Sequence, residues 1–391
     1  MVQGTETGSI EQDANDAVGR RRTALPALTA VAPEAWSALA ARAIEPNGYY
    51  LPDWELAVNA SATGRTDASA LAAWSASPAP RLLGLLPVVS CWRALRLPLP
   101  ALVSASPYGT LTTPLLDRTE TRAAAVALLD QASHHGARAL LLRDVPLHGA
   151  AMAALTAVLD AQGLAARVLQ SGQRACLDAT QDADDVLRDG LGAKKLKELR
   201  RQRARLADEG EVRFTVAREP ADIAAALETF LALEAGGWKG KRGTALAQDA
   251  GDNVFIRRAV PELARTGQCE IIALHAGNVP VAAAIVLRHL DRAFYFKIGI
   301  DERFAKFSPG VQLTLDLTRH LCADPAIASA DSTAAPGHPM IDPIWRGRLS
   351  IGDVLIPLRP GDPMPAMIFT ALKLRQSARD GLRSVVRKLR G

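Results

Sequence analysis

"CEIIALHAGNVPVAAAIVLRHLDRAFYFKIGI", residues 269–300, is the stretch whose reading decides the fold. Three apolar runs are joined by "AGNVP" and "LDR", which predicts an antiparallel meander of three strands. The third run leads through "GIDERFAKFSPG" into "SPGVQLTLDLTRHL" (308–321). That segment reads as a helix with Ser308 as its N-cap and Pro309 at its first position. A short strand is expected to end at Asp331, a loop carries His338 and Trp345, and "SIGDVLIPL" (350–358) closes the unit.

Upstream of the meander, "VRFTVA" (212–217) reads as a strand. The segment 220–236 reads as a helix, with Ile223, Ala226, Phe230 and Leu233 at helical spacing. Then come the Gly-flanked loop "EAGGWKGKRGTAL" (234–246) and a helix over 253–266. The first half repeats an α/β alternation. Strands are expected at 81–90, 101–106, 137–145, 164–170 and 174–179, and helices at 119–135 and 149–163. This is enough chain for a domain of its own, and 391 residues are long for one core. "EPNGYYLPDWEL" (45–56) is a turn and short helix that concentrates Tyr49 and Tyr50, a candidate pocket wall or a wedge between helices.

The composition, 48% apolar and 22% charged, is that of a soluble globular chain, and no apolar run approaches the roughly 20 residues that span a bilayer. Residues 1–29, carrying Glu6, Glu11, Asp13 and Asp16 and without an apolar core, read as a disordered leader, and a cytoplasmic location is expected. Cys91, Cys176, Cys269 and Cys322 lie far apart in no ligand spacing, and no HExxH occurs, so no metal is expected. Charge is concentrated. "KKLKELRRQRAR" (194–205) and the tail 366–391 each carry a net +6 in a chain of net +5, leaving −7 on the remainder. A nucleic-acid binder more often spreads its basic residues over a face. The first stretch admits three readings: a solvated helix face with a Leu196, Leu199 and Leu206 stripe, a lid in which Arg200 and Arg201 clamp an anion, or a nucleic-acid arm lacking interleaved aromatics. The tail reads as a basic amphipathic helix that lies on anionic lipid, docks on the body or meets a partner.

The order meander, turn, helix start, strand resembles the core of the GNAT acyltransferase fold. "KKLKELRRQRARL", "EAGGWKGKRGTAL", "YFKIGIDERFAKFSPG" and the strand-final Asp331 follow one another as in double-GNAT proteins of the CelD/BcsL type. Those proteins are associated with cellulose and exopolysaccharide synthesis and are related to Fem-type peptidoglycan aminoacyl transferases. "EPNGYYLPDW" is similar to that family's "EPNPF…PEW". The family's "GdepYK" loop after the Asp is replaced here by "STAAPGHPMIDPIW". The resemblance implies an α/β fold with a mixed sheet: a GNAT-like lobe over 30–180, an acyltransferase lobe over 181–360 and a basic tail helix over 361–391. It implies a transferase that takes acetyl-CoA or another acyl-CoA as donor, with no metal, and acylates a sugar or cell-envelope precursor. An aminoacyl-tRNA-dependent transferase and a non-catalytic accessory of polysaccharide synthesis are the alternatives. In the implied site, Ser308, Pro309, Gly310 and Val311 cradle the donor's pyrophosphate at the helix start, where free N–H groups and the dipole favour an anion. Glu234, Asp331 and His338 are the candidate catalytic residues, Glu234 as general base and His338 as an acid or base. Trp238, Lys239, Lys297, Tyr49, Arg200 and Arg201 are candidates for substrate contact. Lys297, inside an apolar strand, needs compensation, for which Asp331 is the expected partner.

Overall fold

The computed structural model describes residues 24–390. The expected leader lies outside the described residues as far as residue 23. Its last residues belong to the fold: Ala27 bridges to Ser69, and Leu28 is fully buried.

The first half builds five strands in chain order, β1 (Ser69–Trp74), β2 (Leu82–Ser90), β3 (Ala101–Ser104), the short β4 (Leu115–Leu116) and β5 (Ala139–Pro146), with β6 (Arg167–Asp178) beyond them. Helices α1 (Pro33–Ala40), α2 (Pro52–Ser61), α3 (Cys91–Leu95), α4 (Thr121–His134) and α5 (Ala150–Ala161) surround them. The two strands expected at 164–170 and 174–179 are one, because "QSGQ" runs straight through as paired backbone in β6.

The second half begins with α6 (Ala183–Ala207), kinked at Gly192 (φ 72°, ψ 159°), and β7 (Val212–Ala217). Three helices follow, α7 (Pro220–Gly236), the single turn α8 (Trp238–Lys241) and α9 (Ala250–Arg265). The expected meander is β8 (Cys269–Ala276), β9 (Val279–His289) and β10 (Arg292–Ile300), antiparallel throughout. Gly277 turns β8 into β9 at φ 59°. Helix α10 (Pro309–Cys322) leads to β11 (Ser329–Asp331), β12 (Gly347–Pro357) and α11 (Met364–Arg390).

All twelve strands form one mixed sheet in the order β1-β2-β3-β5-β12-β6-β11-β10-β9-β8-β7, with β4 paired to β2. The segment expected to close the second unit, β12, lies between β5 and β6, so the chain returns to the first half to finish its sheet. Helices α7 and α9 pack on one face of the meander, α6 and α10 on the other.

The candidate active site

The site exists because β10 and β11 part company. They run parallel and pair only at Arg292↔Ser329, Ala293↔Ala330 and Phe294↔Asp331. Beyond Phe294 the edge of β10 has no strand beside it on that side. A cavity of about 300 Å³ opens there, at the carboxyl ends of parallel strands where ligands bind in α/β sheets. Both faces of β10 contribute to it. Ile298 and Ile300 meet Gly310 of α10 and Met340, while Lys297 and Gly299 meet Leu233 and Glu234 of α7.

A β-bulge makes this possible. The pairing with β9 jumps between Tyr295↔Val286 and Lys297↔Ile285, leaving Phe296 as the extra residue. Strict alternation would put Lys297 on the α10 face with Tyr295. The bulge instead places Phe296 and Lys297 consecutively towards α7 and returns Ile298 to the α10 face. Lys297 Nζ therefore lies 3.3 Å from Glu234 Oε1 and 5.5 Å from the centre of the Tyr108 ring. The expected pairing with Asp331 does not form.

Glu234 is 1% exposed, and both its oxygens are engaged. Oε1 meets Lys239 Nζ and Lys297 Nζ at 3.3 Å each, and Oε2 accepts from Leu246 N at 2.9 Å. Lys239 Nζ also donates to Ile298 O at 2.9 Å. Burial, and secondarily the neighbouring Lys297, hold the Lys239 ammonium below the usual lysine range against the pull of Glu234. Two ammoniums and one carboxylate thus stand in a largely apolar cleft, an arrangement that attracts anions and developing negative charge. At the mouth, Trp238 is half exposed with the Arg242 guanidinium 5.1 Å from its ring centre. His338 lines the opposite wall, its Nδ1 accepting from Met340 N at 3.3 Å, so the neutral ring carries its proton on Nε2.

The start of α10 reaches the same cavity through Gly310. Pro309 occupies the first turn as expected, but Ser308 does not cap. Ser308 N closes the preceding 3-10 turn onto Ala305 O, which forces Ser308 into the left-handed region (φ 54°) instead of the extended conformation of an N-cap. Val311 is half-buried and, like Ser308 and Pro309, does not line the cavity.

Asp331 and Tyr49 have other partners. Asp331 is 1% exposed and forms a buried ion pair with Arg174 of β6, itself 2% exposed. Arg174 also donates to Thr110 O at 2.7 Å, Thr110 Oγ1 donates to Thr333 O at 3.0 Å, and Thr333 Oγ1 donates to Tyr295 O at 2.7 Å. This chain ties the first half to the loop after β11 that walls the cavity. Tyr49 is fully buried, with edge-on contacts to Trp54, Phe294 and Phe296. Arg200 and Arg201 are exposed on α6 and are not among the cavity's lining residues. That helix buries Leu187, Leu199 and Leu206 and rests on α10 through Leu199 O with Gln312 Nε2 (2.9 Å) and Arg203 with Asp316 (2.8 Å).

Arg174, Thr110 and Tyr108 were not legible as site residues in the sequence. Tyr108 (φ 57°) packs on Phe255, holds Asp252 through its hydroxyl and carries Arg65 at 4.2 Å from its ring centre. The first half has its own parallel pair, β3 with β5, joined at Ala101↔Ala139 to Val103↔Leu141. There Ser104 Oγ bonds Thr112 Oγ1 (2.9 Å) and Arg143 N (3.0 Å), so the chain itself fills the divergence. The open cleft of this kind lies in the second half.

Residues 193–336 match the acetyltransferase (GNAT) domain. That match supports an acyltransferase of the GNAT type, and it contains Glu234, Lys239, Lys297 and Gly310. No curated protein matches by sequence. Among solved structures the chain is similar to FemX (12% identity, TM-score 0.55, covering 87% of this chain and 98% of that one). It is also similar to the C-terminal domain (DUF2156) of a protein from Agrobacterium fabrum described as a lysylphosphatidylglycerol synthetase (13%, TM-score 0.53, 87% and 95%). A conserved protein of unknown function from Bacteroides thetaiotaomicron is another (11%, TM-score 0.53, 85% and 100%). At these identities the likeness is one of fold. The described residues hold no group of three or more His, Cys, Asp or Glu placed for a metal.

Proposed function

We propose that the second half transfers an acyl group from acyl-CoA, acetyl-CoA among the donors, to an amine or hydroxyl of a sugar or cell-envelope precursor. The observation that carries this reading is the unpaired edge of β10, reached from one face by the start of α10 and from the other by the Glu234, Lys239 and Lys297 cluster. The donor would lie on the α10 side, its phosphates near Gly310 and Val311, whose backbone N–H groups have no partner within the first turn. The acceptor would enter from the α7 side, past Trp238. There the Glu234 carboxylate takes the proton of the attacking group, the Lys239 and Lys297 ammoniums stabilise the oxyanion, and His338 Nε2–H protonates the leaving thiolate. An exopolysaccharide precursor as acceptor rests on the resemblance to CelD/BcsL-type proteins. A cytoplasmic location is part of the same proposal; no helix among the described residues is long and apolar enough to cross a membrane. A peripheral membrane contact would use α11, where Met367 and Leu374 are exposed.

Thermal unfolding with and without acetyl-CoA tests the donor. A Cβ on Gly310 would sit 3.4 Å from Ile298, Ile300 and Met340, an ordinary contact, whereas a large side chain would fill the cavity. Acetyl-CoA is expected to raise the melting temperature of the wild type and to leave folded Gly310→Phe unshifted. Equal shifts would move the donor elsewhere. Six exposed basic side chains on α6, from Lys194 to Arg205, favour an aminoacyl-tRNA-dependent transfer as the second reading. RNA retained on the purified protein and released steeply with salt, together with no response to acyl-CoA, would select it. No response to either would select the non-catalytic accessory.

A further inference from the structure

Sharing no lining residue with the cavity, a crevice of about 210 Å³ runs along the flank of α11. Helix α11 is fastened to the first half by Ile368 and Leu372, buried with Cys91, Leu95, Leu141 and Leu169. Gln376 Nε2 donates to Gln170 Oε1 at 2.8 Å, and Lys373 donates to Leu169 O. The floor of the crevice is apolar, formed by Leu95, Leu141, Leu169 and Leu372, and its walls carry Arg143, Arg375 and Arg379.

The charge there is unbalanced. Asp353 is the acid among the described residues lining the crevice. Its Oδ1 accepts from Asp144 N at 2.9 Å and its Oδ2 from Gln170 Nε2 at 2.7 Å, with Arg143 Nε a loose 4.0 Å away. Arg375 and Arg379 make no hydrogen bond or ion pair with any described residue. Burial, then the proximity of Arg379 and Arg143, push the Arg375 guanidinium below its usual range, as expected where like charges converge without a counter-ion among the described residues. Guanidiniums set around an anion-sized space are suited to bidentate contact with phosphate oxygens.

We propose that this crevice binds a phosphate ester, its anionic oxygens taken by Arg143, Arg375 and Arg379 and its organic part laid on the leucine floor. The same chemistry is supplied by a phospholipid headgroup or by a soluble phosphate ester. Trp92 of α3, Met367 and Leu374 stand 55%, 62% and 67% exposed on the two helices that border the crevice, which suits an acyl-chain surface.

The test uses the full chain and two probes, glycerol 3-phosphate by calorimetry and co-sedimentation with vesicles of phosphatidylcholine with or without phosphatidylglycerol. Arg375→Gln with Arg379→Gln is compared with the equally charged control Arg122→Gln with Arg346→Gln, both exposed and outside the crevice. Binding of either probe that falls about tenfold in the first double variant and not in the control supports the site. Binding confined to anionic vesicles assigns it to lipid, and binding of glycerol 3-phosphate assigns it to a soluble ester. No binding of either probe, or an equal loss in both double variants, overturns it. Arg379 is exposed, so Arg379→Gln alone carries the same comparison should the double variant lose stability.

Discussion

At Lys297 the physics of one residue changes the reading of the site. An ammonium in an apolar strand must be compensated, and that much follows from its neighbours in sequence. Which carboxylate does so depends on the extra residue at Phe296, which turns Lys297 from one face of the sheet to the other. Glu234 is consequently the pivot of two lysines. Replacing it with Gln keeps an oxygen for Leu246 N but leaves two facing ammoniums without a counter-charge. Turnover is expected to fall about 100-fold or more in Glu234→Gln, with the acyl-donor KM moving little. Steady-state kinetics on the folded variant decides this, and an unchanged kcat would remove Glu234 from the reaction.

At the level of elements, α7 meets β10 so closely that a side chain has no room between them. A Cβ on Gly299 would stand 2.7 Å from Glu234 N and 3.1 Å from Leu233 C, which are backbone atoms of the helix end that holds the carboxylate. Gly236, three residues before Lys239, has nothing within 4 Å of where its Cβ would lie. Gly299→Ala is therefore expected to cost about 1–3 kcal/mol in denaturant unfolding and to lower turnover by displacing Glu234. Gly236→Ala is expected to be within about 0.5 kcal/mol of wild type. Similar costs for the two would contradict the close approach of helix and strand. The basic helix α6 is likewise an element whose two sides differ: leucines under, lysines and arginines out.

Across the whole molecule the two halves share one core. Trp36, Tyr49 and Trp54 from the first half belong to the same buried cluster as Phe230, Phe255 and Phe294 from the second. His289, 3% exposed at the end of β9, is a polar strut of that junction. Its Nδ1 accepts from Asn47 N at 2.8 Å and its Nε2 faces Ala40 O at 2.9 Å, which requires a neutral ring. Burial lowers its pKa to about 4 from the ordinary 6.5. Between these values the unfolded chain binds a proton that the folded one does not, so stability present above pH 6.5 is lost as the pH falls towards 4. The loss amounts to about 3 kcal/mol from this group. Unfolding of wild type and His289→Gln at pH 7 and pH 4.5 should converge at the lower pH. Parallel behaviour would show that the ring does not differ in protonation between the two states.

The meander, the helix opened by Pro309 and the leucine stripe under the basic stretch were legible in the sequence, and Glu234, Lys239, Lys297, Gly310 and His338, singled out there, line one cavity. Each is written in local signals: runs of apolar residues, turn residues, helical spacing, and a charge where a strand should be apolar. Tertiary structure alone decided the rest. The place of β12 between β5 and β6, the Arg174–Asp331 pair, the burial of Tyr49 and the counter-charge of Lys297 join residues from about 60 to more than 240 positions apart, or depend on a single-residue bulge. No local pattern encodes such partners, because a buried charge or ring specifies only that it must be compensated or covered. The packing of the complete sheet determines by what.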